Sequence, residues 1–234
     1  MIPLRDDTPR YSTPYVNYFI IALNALVFLF ELSVGAQNHR ALNSLMYQFG
    51  VVPQHFERAL AGSTHFSLSG ALLTILTSMF LHASWLHIIG NMWVLWIFGD
   101  NIEDYLGHFS YLMFYLVSGF AAMCTHILLN AGSKVPAVGA SGAIAGVMGG
   151  YFVLYPKARV MTWFPPIFFF YLPAWLVLGY WFVVQFLSGA TTAIAESNQA
   201  GGVAVWAHVG GFLAGIVLIK LLPERPRRYR YAAW

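Results

Sequence analysis

Charge is what this chain has least of. Asp, Glu, Lys and Arg make up 9% of its 234 residues, 59% are hydrophobic, and mean hydropathy is +0.63. A soluble domain carries about 25% charged residues, so a water-soluble globular fold is excluded. Cysteine is nearly absent: the single thiol, Cys124, lies in an apolar run and rules out an intrachain disulfide. No histidine is followed by glutamate, which removes the zinc-protease signature His-Glu-x-x-His. Asp100 and Asp104 share one segment end, so two aspartates facing each other from different segments are missing as well. The chain shows neither internal repeats nor matched broken helices, the marks of many transporters. Short alternating segments, as in a membrane β-barrel, are lacking too. Residues 1–14 are polar and proline-broken, so the first apolar run is expected to be a retained span and not a cleaved secretory signal.

Long, continuous apolar runs are present instead. They predict an all-α polytopic membrane protein with six spans, each near the ~20 residues needed to cross a ~30 Å hydrocarbon core. The spans expected are Tyr15–Gly35, Trp85–Glu103, Tyr105–Leu129, Ser141–Tyr155, Phe168–Ser188 and Ala204–Leu222. Residues 1–14 then form a short N-terminus, 15–222 one membrane domain, and 223–234 a basic tail. The connection from Ala36 to Ser84 mixes apolar patches with His39, Arg40, His55, Arg58 and His65, which suits short interfacial helices better than a span.

Basic residues set the orientation. Arg5, Arg10, Lys157, Arg159, Arg225, Arg227, Arg228 and Arg230 fall on one side, and only Arg40, Arg58 and Lys134 on the other. Both termini are therefore expected in the cytoplasm, and the second, fourth and sixth spans run inward from the outer face. Without an N-terminal extension, a prokaryotic cytoplasmic membrane is the expected host. The fourth span is short: at 1.5 Å per residue it rises only ~22 Å, so its first residue, Ser141, should lie below the outer boundary. Counted from Val203, His208 is recessed by roughly 8 Å at the head of the sixth span. His87 and Asn91 occupy the first two turns of the second span. All four reach one depth.

Strongly polar side chains within a span mark a candidate functional site. A serine beside an imidazole has the parts of an activated nucleophile, the ring accepting the hydroxyl proton and returning it to a leaving group. No acidic residue shares that depth, which implies a Ser141–His208 pair without a third carboxylate. His87 and Asn91, at i and i+4, share a helix face. With the Ser141 amide they can donate to a developing oxyanion. Gly139 and Gly142 let backbone approach a substrate carbonyl. Gly142, Gly146 and Gly149 in the fourth span, and Gly211 and Gly215 in the sixth, form small faces that let the two helices meet closely.

The stretches His82-Ala-Ser-Trp-Leu-His87-Ile-Ile-Gly-Asn91, Gly139-Ala-Ser141-Gly142 and Ala207-His208-Val-Gly-Gly211, with Gly215, resemble the rhomboid family of intramembrane serine proteases over about residues 15–222. The resemblance implies a six-helix bundle with a long first loop partly in the membrane. It implies Ser141 as nucleophile, His208 as base, and His87, Asn91 and the Ser141 amide as oxyanion site. The fifth span and the loop Gly189–Val203 would form gate and cap. Substrates would be single-span membrane proteins with small residues at the cut and a helix that unwinds easily. No cofactor, metal or nucleic-acid partner is implied. This chain lacks the Trp-Arg pair common in the family's first loop, and it has Ala145 where members often carry a ring behind the base. Trp206, Trp85 and Tyr151 are alternatives for that ring.

Taken singly, each residue has a plainer reading. Ser141 caps or packs a helix, His208 is a satisfied interior histidine, and His87 and Asn91 bond between helices. Their common depth favours chemistry. His126 and Cys124 read as packing, and His82 as anchoring the first loop. The competing functions are a transporter or channel using intramembrane histidines, a b-type haem carrier using two of His87, His126 and His208, and an inactive relative that binds membrane clients.

Overall fold

The computed structural model describes residues 1–194 and 204–225. Helices α1 (Tyr15–Gln37), α5 (Trp85–Leu106), α6 (His108–Leu129), α7 (Ser141–Leu154), α8 (Ala174–Ile194) and α9 (Val205–Leu221) occupy the six apolar runs. Among the described residues, three stretches are long and apolar enough by themselves to cross a membrane: Tyr15–Gln37, His108–Leu129 and Ala174–Thr191. Between α1 and α5 lie three short helices, α2 (His39–Phe49), α3 (Pro53–Leu60) and α4 (Leu68–Ser78). Polar side chains start two of them: Asn38 accepts from the Arg40 amide and Ser67 from that of Gly70.

The protein is mostly helical rather than all-α. A small antiparallel sheet has the order β1 (Ile2–Asp6), β2 (Arg159–Phe164), β3 (Phe168–Pro173). Hydropathy places Phe168-Phe-Phe-Tyr-Leu-Pro in the fifth span. Its aromatic residues suit a strand equally well, and pairing with β2 from Phe164↔Phe168 to Arg159↔Pro173 decides the outcome. Helix α8 therefore starts at Ala174. Residues 2–6, read as part of a polar tail, pair with β2.

Helix α7 is the centre of the bundle. Every residue from Gly142 to Tyr151 is buried, as expected of a helix apolar all round. Contact with α9 is made through glycine. A Cβ on Gly211 would collide with the Gly142 carbonyl oxygen, one on Gly215 with that of Gly146, and one on Gly149 with that of Phe212. Gly142 also lies against Ala122 of α6, whose methyl would stand 2.7 Å from an added Cβ.

A few charges tie the helix ends. At one end the fully buried Glu103 carboxylate accepts the amide protons of Val16 (3.0 Å) and Asn17 (2.7 Å), satisfying donors that the first turn of α1 leaves open. His108 bonds the same carboxylate at 2.5 Å. Asp104 accepts from the Tyr11 amide and Ser12, and Asp100 pairs with Arg10 at 3.3 Å. Asp6 accepts from the Tyr151 hydroxyl at 2.5 Å. Arg227, Arg228 and Arg230 lie outside the described residues.

Gly215→Val should lower stability by more than about 2 kcal/mol, because the added atoms meet helix backbone that cannot yield. Gly90→Ala, where nothing lies within 4 Å of an added Cβ, should change it by less than about 1 kcal/mol. Thermal unfolding in detergent distinguishes the two.

Candidate active site

Ser141 is the first residue of α7, and the cap position before it is held by Ala140. The hydroxyl is therefore free of the local role that serine usually fills at a helix start. The strand-like approach to α7 is held from both sides. Val51 and Ala137 exchange amide–carbonyl bonds of 3.0 and 2.7 Å, and the Gly139 amide donates to the Ser78 carbonyl at 2.8 Å.

His208 stands one turn into α9, buried to 8% exposure. Its Nε2 lies 2.7 Å from the Ser141 Oγ and its Nδ1 lies 2.7 Å from the Gln185 Oε1 on α8. An amide oxygen only accepts, so Nδ1 carries the proton and Nε2 offers its lone pair to the serine hydroxyl. The serine is thereby set as donor to a base.

The ring behind His208 is Trp181, with centroids 5.6 Å apart. None of the three rings considered from sequence takes that place. Trp206 meets Phe186, Trp85 meets Phe28, and Tyr151 meets Phe98 and Tyr155. Ala145 is fully buried within α7. Trp181 and Gln185 are four residues apart on one face of α8, and both were missed. Their signal was a lone glutamine in an apolar helix with an aromatic one turn earlier.

His87 and Asn91 flank the loop just before Ser141. Gly139 has φ +124°, and a Cβ there would stand 2.6 Å from the His87 Nε2 and 3.7 Å from the Asn91 Nδ2. Only glycine allows both the backbone angle and the approach of the imidazole. The Asn91 amide donates to His82 Nε2 at 3.0 Å. Burial, with a smaller contribution from His87, pushes the His82 imidazole down to about 4, so this ring is a neutral acceptor. The Glu31 carboxylate takes the His82 backbone amide on both oxygens at 3.2 Å, fixing the loop ahead of α5.

Gly142, Gly146, Gly211 and Gly215 all lie in the helix contacts described above, Gly142 between α6 and α9 rather than open to a ligand. His126 bonds Asn130 one turn away. Among the described residues no group of three or more His, Cys, Asp or Glu is arranged to hold a metal. Most of the loop Gly189–Val203, including Glu196, lies outside the described residues.

A serine at a helix start, bonded to an imidazole between apolar helices, defines a helical membrane protein with a Ser–His pair. The chain belongs to the rhomboid family: the rhomboid domain matches residues 69–225. It is similar to the presenilin-associated rhomboid-like protein, mitochondrial, of Rattus norvegicus, with 30% identity over 186 residues, covering 75% of this chain and 45% of the relative. Rhomboid protein 1, mitochondrial, of Saccharomyces cerevisiae is 30% identical over 169 residues, covering 69% and 46%. Rhomboid-like protein 11, chloroplastic, of Arabidopsis thaliana is 30% identical over 162 residues, covering 64% and 52%. The chain thus spans about half the length of the curated relatives it matches.

These relatives correct the expected location. Their names are mitochondrial and chloroplastic, so they point to an organelle and not to a prokaryotic cytoplasmic membrane. The expectation of a prokaryotic host rested on the lack of an N-terminal extension, which carries no information about compartment, and the cytoplasmic assignment of both termini, read from the basic residues, falls with that host.

Gly139→Ala should cost about 1–3 kcal/mol of backbone strain and displace the His87 ring. A lowered unfolding temperature, together with a shifted His87 ring resonance, checks it; an unchanged resonance would show that the ring does not depend on the missing methyl.

Proposed function

We propose that this chain is an intramembrane serine endopeptidase that cuts the transmembrane segments of membrane proteins. The single observation that carries this reading is the 2.7 Å bond between Ser141 Oγ and His208 Nε2 at the start of α7. Ser141 attacks the scissile carbonyl while His208 Nε2 takes its proton, then delivers it to the departing amine. The acyl group left on Ser141 is released by a water that His208 deprotonates. The Ser141 amide, His87 and Asn91 are the donors for the tetrahedral oxyanion, and Asn91 exchanges His82 for the substrate oxygen as charge develops.

Helices α1, α5, α6, α7, α8 and α9 are the six spans, and residues 15–222 with the small sheet form the protease domain. Helix α7 rises only ~21 Å, so the serine lies below the membrane surface and water must descend to it. Suitable substrates are single-span proteins whose helix unwinds readily near small residues, because a helical peptide bond shields its carbonyl. The host is an organellar membrane, a reading supported by the names of the relatives. The close fit of α7 on α9 favours catalysis over client binding alone, since it holds a hydroxyl and a lone pair in bonding contact.

A fluorophosphonate probe tests this reading. Ser141 Oγ should bond to phosphorus with loss of fluoride, and both Ser141→Ala and His208→Ala should abolish the labelling. Labelling of Ser141→Ala at the wild-type rate would refute the assignment. With a model single-span substrate in detergent, Asn91→Ala should cleave roughly 10–10³-fold more slowly, as for loss of one oxyanion donor.

A further inference from the structure

The base has a partner that the Ser141–His208 reading does not require. His208 is bonded on both ring nitrogens, each at 2.7 Å, and the partner on the side away from the serine is the side chain of Gln185. Resting on that reading, we propose that Gln185 is a positioning residue: its amide oxygen holds the His208 Nδ1 proton, fixing the tautomer and aim of the base at Ser141.

Three observations support it. An imidazole with both nitrogens engaged has one tautomer that satisfies both, and the amide oxygen selects the one with its lone pair toward the serine. Trp181, one turn before Gln185 on the same helix, lies against the imidazole with centroids 5.6 Å apart, so α8 supplies both the bond and the wall that restrict the ring. The titratable groups acting on His208 are His87 and His126, neither of which accepts its Nδ1 proton. Gln185 therefore fills the place that a carboxylate takes in three-residue hydrolase sites, without adding a charge at membrane depth.

Helix α8 is packed less deeply than α6. Its apolar window is 22% buried, against 39% for α6, and it meets α9 through side chains rather than glycine on carbonyl. The competence of the base is thus set by a helix other than its own.

The test uses the full chain in detergent and the fluorophosphonate probe. Gln185→Leu should lower the maximal labelling rate by roughly ten- to a hundredfold, less than loss of the base, with half-saturation by the probe unchanged. Gln185→Glu should restore most of the rate. It should also move the acidic limb of the rate profile to higher pH, because a carboxylate stabilises the protonated ring, and the base works only when neutral. In protein labelled with ¹⁵N-histidine, Gln185→Leu should abolish the low-field Nδ1–H resonance of His208. Retention of that resonance in Gln185→Leu, or an acidic limb unmoved by Gln185→Glu, would overturn the proposal. Failure of the serine–histidine reading is separate: Ser141→Ala would then still label, while the imidazole resonance still reports whether Gln185 holds the ring.

Discussion

The contact of glycine with carbonyl between α7 and α9 is the constraint on which the rest depends. Gly211 and Gly215 touch the Gly142 and Gly146 carbonyls so closely that no side chain fits between. Apolar helices gain little from meeting one another in lipid, so their association depends on close packing. Here that packing sets the distance between two backbones, and the distance sets whether a serine hydroxyl on one reaches an imidazole on the other. Gly142 and Gly211 stand next to or within one turn of Ser141 and His208. The residues that bring the helices together are thus also those that align the pair.

Charge is used sparingly and at the margins. Glu103 and Glu31, both buried, accept backbone amide protons, Glu103 at the start of α1 and Glu31 at the loop that leads into α5. A buried carboxylate is costly unless its oxygens are filled; backbone amides fill those of Glu31 and, together with the His108 ring, those of Glu103. One clasp fixes the end remote from the serine, and the other fixes the segment that presents His87 and Asn91.

Much of this was legible in the sequence. Runs of apolar residues gave the positions of the long helices, because hydropathy and length are properties of each segment alone. Ser141 and His208 stood out as polar residues at matching depth in adjacent spans, and the glycines as small faces in register with them. Gln185 and Trp181 did not stand out, because their meaning depends on how α8 is rotated about its axis. An almost uniformly apolar helix carries no periodic pattern to fix that rotation. The boundary of α8 was misplaced for a related reason: Phe168–Pro173 is as apolar as a span, and only the pairing partner in β2 makes it a strand. The pairing of residues 2–6 was hidden likewise, since a five-residue edge strand is specified by its neighbour more than by itself.

The way α8 begins has a mechanical consequence. Strand β3 runs into the helix without a loop, and the first amides of the helix, Ala174 and Trp175, are bonded to the carbonyls of Ala158 and Pro156 at 2.8 and 3.0 Å. That end is a fulcrum. Gln185 lies eleven residues along, a lever arm of about 16 Å, so a tilt of about 10° carries its amide roughly 3 Å. A hydrogen bond does not survive such a stretch. A small angular change at a pinned root is therefore magnified at the imidazole.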